Sequence, residues 1–93
     1  MYQNGFALIA SDYVKTKNEE NCYHIFSAKK NILTDAVFLK SEISICRTAS
    51  IKKAPLCRRF DENLSDLISW ANAVLEDQIC KHCSGDRIIK EAS

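Results

Sequence analysis

Residues 61–79 read DENLSDLISWANAVLEDQI, and their spacing decides the fold class. Leu64, Leu67, Ile68, Ala71, Val74, Leu75 and Ile79 recur at i, i+3, i+4 and i+7, which places them along one side of an α-helix. Asp61 is a suitable N-cap, and Asp61, Glu62 and Asp66 suit the positive end of the helix dipole. At the far end, Lys81 and His82 would occupy the last turn, with Gly85 as the residue that ends it. One apolar stripe on one helix needs another layer to cover it.

The N-terminal two-thirds supplies that layer as strands. Residues 6–14 (FALIASDYV) form a short apolar run, and residues 22–28 (CYHIFSA) are rich in aromatic and β-branched types; both read as strands. The wholly polar stretch 15–21 reads as the loop joining them into a hairpin. Across 36–47, Val37, Leu39, Ile43 and Ile45 alternate with Lys40, Glu42 and Ser44, the period of a long strand or of two strands joined near Ser41. Residues 50–60 read as a further strand, held to a sheet edge by Pro55. The expected fold is α+β: a small antiparallel sheet of about four strands with one long helix packed on one face, in a single domain over residues 1–93.

Bulk properties narrow the function. The chain is 46% hydrophobic and 27% charged, an ordinary globular composition, and its net charge of +1 exerts no general pull toward nucleic acid or membrane. There is no stretch of about 18 apolar residues that would span a bilayer. The apolar run 6–10 has no basic residue before it, unlike a secretory signal. The cysteines number five, an odd count, so free thiols and a cytoplasmic location are expected.

Catalytic signatures are missing. No glycine occurs between residues 6 and 84, which excludes a Walker loop, a dinucleotide fingerprint and a nucleophile elbow. Cys80-Lys81-His82-Cys83 is the one metal-like cluster, but zinc usually takes two pairs of ligands. Cys22 and His24, or Cys57, would join it only through tertiary contact. The expectation is therefore two ordinary cysteines at a helix end, no metal, no cofactor and no enzymatic activity.

The charges segregate. Residues 43–60 hold Arg47, Lys52, Lys53, Arg58 and Arg59 and no acid; residues 61–80 hold five acids and no base. Lysines and a proline also protect an edge strand, and charge runs are commonly solvated faces. As a binding surface, the basic strand region would contact phosphates or an acidic protein. Trp70 flanks the apolar stripe of the helix, either closing the core edge or serving as an interface anchor. The expected partner-binding residues are Arg47, Lys52, Lys53, Arg58, Arg59, Asp66 and Trp70.

The segment from Arg58 to Ala71, a strand ending in Phe60-Asp61 and running into an acidic-capped helix, resembles two families. One is the small phage-encoded inhibitors of bacterial defence, the anti-CRISPR proteins, many of them single α+β domains of this size. The other is the sheet-plus-helix DNA-binding domain of plant ethylene-response factors and phage integrase arms. The sheet of that second family carries glycines and tryptophans that residues 43–60 lack. The first resemblance implies a non-catalytic inhibitor acting by protein–protein contact on a larger complex, of the CRISPR-Cas or another nucleic-acid-associated kind. The second implies a nucleic-acid-binding module. Neither implies a membrane or a small-molecule substrate.

Overall fold

A computed structural model describes residues 1–16, 22–47, 49–52, 56–80 and 83. Lys53, Pro55, Lys81, His82 and Gly85 lie outside the described residues, as do residues 86–93. The strands are β1 (Tyr2–Ile9), β2 (Val14–Thr16), β3 (His24–Asn31), β4 (Val37–Leu39), β5 (Ala49–Ile51) and β6 (Cys57–Asp61), followed by the helix α1 (Leu64–Val74). A four-stranded sheet runs in the order β4-β3-β1-β6, and β2 and β5 form a second, two-stranded sheet. All the strand pairings are antiparallel, so the α+β layout expected from the sequence is the one observed.

The central pair is β1 with β3, matched over eight residues from Tyr2↔Asn31 to Ile9↔His24. Both faces of this pair are covered. On one face Leu8 and Ile25 meet Leu64, Leu67, Ile68, Ala71 and Leu75 of the helix segment. On the other, Ala7, Ile9, Phe26 and Ala28 meet Val14 and Ala49 of the small sheet. Each buried leucine or isoleucine contributes about 1.5–3 kcal/mol relative to an exposed one. Residues 6–9 and 25–26 are apolar without alternation because a two-sided strand has no solvent face.

Several boundaries differ from the sequence reading, each for a local reason. The run 6–14 divides: β1 ends at Ile9, a 3-10 turn spans Ser11–Tyr13, and Val14 enters the second sheet. The stretch 50–60 likewise divides between β5 and β6, in different sheets. Within 36–47 only Val37–Leu39 is a strand. The chain then loops out and returns, with the N–H of Lys40 donating to the Ser27 carbonyl and that of Ile45 to the Ile25 carbonyl, both at 2.8 Å. A five-residue advance thus matches two residues of β3, and Arg47 takes a left-handed φ of 63° in the turn that follows.

The helix is shorter at both ends than its periodicity suggests. Asp61 still belongs to β6, paired with Phe6, so it cannot cap. Its Oδ1 accepts instead from the Asn63 N–H at 3.0 Å, and Asn63 is the N-cap, accepting from the Asp66 N–H at 3.2 Å. At the other end Glu76 adopts a left-handed φ of 51°. The chain then trades helical hydrogen bonds for sheet-edge ones: Tyr23 N–H to the Gln78 carbonyl at 2.7 Å, and Cys80 N–H to the Tyr23 carbonyl at 2.9 Å. Cys80 and Cys83 therefore do not lie on a helix end; they lie beside the start of β3.

Gly5 marks where β1 passes under β6. A Cβ there would stand 2.5 Å from the Asp61 carbonyl oxygen and 2.5 Å from Phe60 Cζ. Gly5→Ala is expected to destabilise the domain by about 1–3 kcal/mol through overpacking, measured by urea unfolding. Asn63→Ala is expected to cost about 1 kcal/mol through loss of the cap, with the denaturation slope unchanged.

Candidate functional site: a cationic ridge and a sulfur–imidazole cluster

The basic residues expected to act together fall in separate places. Arg47 lies in the turn before β5, and Lys52 follows β5, its N–H bonded to the Tyr13 carbonyl at 2.8 Å. Lys53 is outside the described residues. The strand expected over 50–60 is divided between two sheets, so Lys52 follows a strand of one and Arg58 and Arg59 belong to a strand of the other.

Arg58 and Arg59, by contrast, converge with Trp70. Their guanidinium carbons stand 5.6 Å and 4.8 Å from the indole centroid. Neighbours on a regular strand point to opposite faces, so this convergence needs an irregularity. Leu8 pairs with Arg59 but Ile9 pairs with Cys57, leaving Arg58 as the extra residue of a β-bulge. The bulge lets two consecutive cations reach one ring. Both arginines are exposed and Trp70 is half-buried against the helix-side core. Asp66 sits exposed in the first helical turn, one turn before Trp70.

Sharing Arg58 and Arg59 with this ridge, a groove of about 540 Å³ runs between β4 and β6 on the sheet face away from the helix. Ile9, Val37, Leu39 and Phe60 give it an apolar lining, and Lys30, Arg58 and Arg59 bring positive charge against the single acid Asp35. The Lys30 ammonium lies 5.3 Å from the Phe60 ring centroid. Lys30 and the groove were not singled out as binding features, because the sequence does not show that β4 and β6 flank one surface.

The second feature is internal. His24 Nδ1, or Nε2, and the Sγ atoms of Cys46, Cys80 and Cys83 all lie within 4.8 Å of one another. His24 and Cys83 are fully buried, Cys80 nearly so, and Cys46 half-buried. Three backbone connections bring them together. Ile9↔His24 anchors the imidazole at the start of β3, the Ile45–Ile25 hydrogen bond delivers Cys46, and the Cys80–Tyr23 hydrogen bond delivers the C-x-x-C.

Both imidazole nitrogens face sulfur. Nδ1 is 3.8 Å from Cys83 Sγ and 3.9 Å from Cys46 Sγ, and Nε2 is 3.4 Å from Cys22 Sγ. Two further groups approach the thiols: the Ile25 N–H donates to Cys83 Sγ at 3.4 Å, and Ser44 Oγ lies 3.1 Å from Cys46 Sγ. Ser44 Oγ already accepts from the Ala49 N–H at 3.2 Å, so its own proton is free to point at Cys46. The protonation pattern is that of a coupled group. Burial alone would lower the imidazole, but hydrogen bonds to Cys46 and Cys80 outweigh it and hold His24 up at about 9. Hydrogen bonds from Cys80 and Cys83 pull Cys46 far below the thiol range, while the same contacts, with burial, push Cys83 far above it.

The C-x-x-C expected to lack a partner pair therefore has one, His24 and Cys46, contributed by β3 and by the segment that returns to it. Cys22, the other half of the C-x-H considered from sequence, contacts the imidazole from outside the set. Cys57 belongs elsewhere, beneath the groove on the second face, where burial raises its thiol.

Arg59→Ala is expected to lower stability by about 0.5–1 kcal/mol through its contact with the indole. In a double-mutant cycle with Trp70→Leu most of that effect should vanish; an undiminished loss would place the contribution of Arg59 elsewhere. A comparison of the chain with protein-family models, curated proteins and solved structures found no match.

Proposed function

We propose that the chain is a small non-catalytic binding domain that recognises an acidic segment of a protein partner, seated on the Arg58–Trp70–Arg59 ridge and the adjoining groove. The observation that carries this reading is the bulge-driven convergence of two exposed guanidinium groups on one indole. Arginine and tryptophan are the residue types most often found at the energetic centre of interfaces. The guanidinium fork suits bidentate pairing with carboxylates, and the apolar groove lining suits side chains interleaved with them.

Burial of His24 supports the non-catalytic part. A Cys–His nucleophilic pair must meet its substrate, and His24 has no exposed surface. Contact alone is how a small inhibitor acts on a larger assembly, and we propose that mode of action for this domain. Exposed apolar side chains at the far end of the sheet add surface of the same kind: Tyr2, half exposed, stacks edge-on against Phe38 at 6.1 Å under the Lys29 ammonium.

The test is capture of partners from the native host with wild-type protein and with an Arg58→Ala/Arg59→Ala variant. A protein partner retained at physiological salt by the wild type, and bound at least about 10-fold more weakly by the variant, is the expected outcome; removal of one buried charged anchor costs about 2–5 kcal/mol. Recovery of nucleic acid alone, with affinity falling steeply with salt, would replace this reading by the nucleic-acid one.

A further inference from the structure

We propose that His24, Cys46, Cys80 and Cys83 form a structural zinc site, His24 ligating through Nδ1 and the three cysteines as thiolates. The donor chemistry selects the metal. Three sulfurs and one imidazole suit a borderline-soft ion that accepts tetrahedral geometry, whereas magnesium and calcium require oxygen ligands, and the set contains no carboxylate. The dimensions agree. Zn–S bonds of about 2.3 Å and Zn–N bonds of about 2.0–2.1 Å give tetrahedral edges of about 3.8 Å between sulfurs and about 3.6 Å from sulfur to nitrogen. The observed separations from Nδ1 to Cys83 and Cys46 are 3.8 and 3.9 Å.

The surroundings are those of a ligand set and not of four packed side chains. On binding, each of the three thiols gives up a proton to solvent and its sulfur takes a coordinate bond, the imidazole ligates neutral, and nothing is oxidised or reduced. Three thiolates around a divalent ion leave one negative charge in a buried place. Two donors already point at the sulfurs that would carry it, the Ile25 N–H at Cys83 and the Ser44 hydroxyl at Cys46. With Nδ1 on the metal, the Nε2–H donates to Cys22 Sγ at 3.4 Å, which fixes the tautomer and the ring plane. Four protein ligands, three of them buried, leave no open position for water or substrate, so the role is structural. The ion would tie the segment after the helix to the start of β3 and to the loop before β5.

The experiment uses the full chain, purified without chelator, with metal measured by mass spectrometry. One zinc per chain is expected. Protein stripped of metal should take up one Co²⁺ and show the intense visible bands and thiolate charge-transfer absorption of tetrahedral sulfur-rich ligation. Cys46→Ser and Cys83→Ser should lose the stoichiometric metal, whereas Cys57→Ser should keep it. Since loss of a ligand also threatens folding, two conservative changes accompany them. His24→Cys is expected to hold zinc and shift the cobalt spectrum, and Ser44→Ala, with all four ligands intact, to weaken zinc about 10-fold. A wild-type chain that folds metal-free, takes up no cobalt and keeps its Tm in chelator would overturn the site. So would full metal retention by Cys46→Ser, and recovery of iron or copper in place of zinc would overturn the assignment of the ion.

Discussion

The eight-residue pairing of β1 with β3 is the constraint on which the other placements depend, because it is the central pair and is buried on both faces. Two layers can then pack independently, the helix on one side and the small β2–β5 sheet on the other. A two-sided sheet in a chain of 93 residues uses its apolar residues economically. Small side chains do the spacing. Gly5 lets β6 and its Phe60 lie close to β1, and Ala7 and Ala28 keep the second face shallow, so a groove remains between β4 and β6.

One limit of that pairing is Ile9↔His24, and the start of β3 gathers the chain. Residues 43–46 return there through the Ile45–Ile25 hydrogen bond, and residues 78–80 return there through Tyr23. Each return spends backbone hydrogen bonds that a longer strand or a longer helix would otherwise have satisfied internally. The product is one compact set of sulfur and nitrogen donors. The proposed zinc would supply binding energy there that is also folding energy, which suits a domain whose core is small. Left-handed conformations flank both returns, Glu76 just before the 78–80 segment and Arg47 just after the 43–46 segment, and the contacts around His24 lie between them.

The proposed recognition surface and the proposed metal site draw on separate residues. The ridge owes its geometry to a single irregularity, the bulge at Arg58, which turns two sequence neighbours toward one indole. The cluster owes its geometry to two backbone returns. Neither depends on an active-site cleft, and together they describe a domain that presents a rigid cationic and aromatic surface.

The sequence alone determined the fold class and the identity of the helix. Leu64, Leu67, Ile68 and Ala71 are buried as their 3.6-residue spacing requires, since periodicity is a local property that survives without knowledge of neighbours. It also made Arg58, Arg59 and Trp70 conspicuous, by charge segregation and by the rarity of tryptophan. It did not determine where strands break. Val37 to Ile45 alternates like one strand, yet the alternation is satisfied partly by a loop that returns to β3. Only the tertiary structure decided the donor set. Cys80 and Cys83 are near neighbours in the chain, but His24 and Cys46 lie far from them and from each other in sequence. Their meeting is fixed by strand order and by hydrogen bonds between distant backbones, and no spacing along a single chain encodes that.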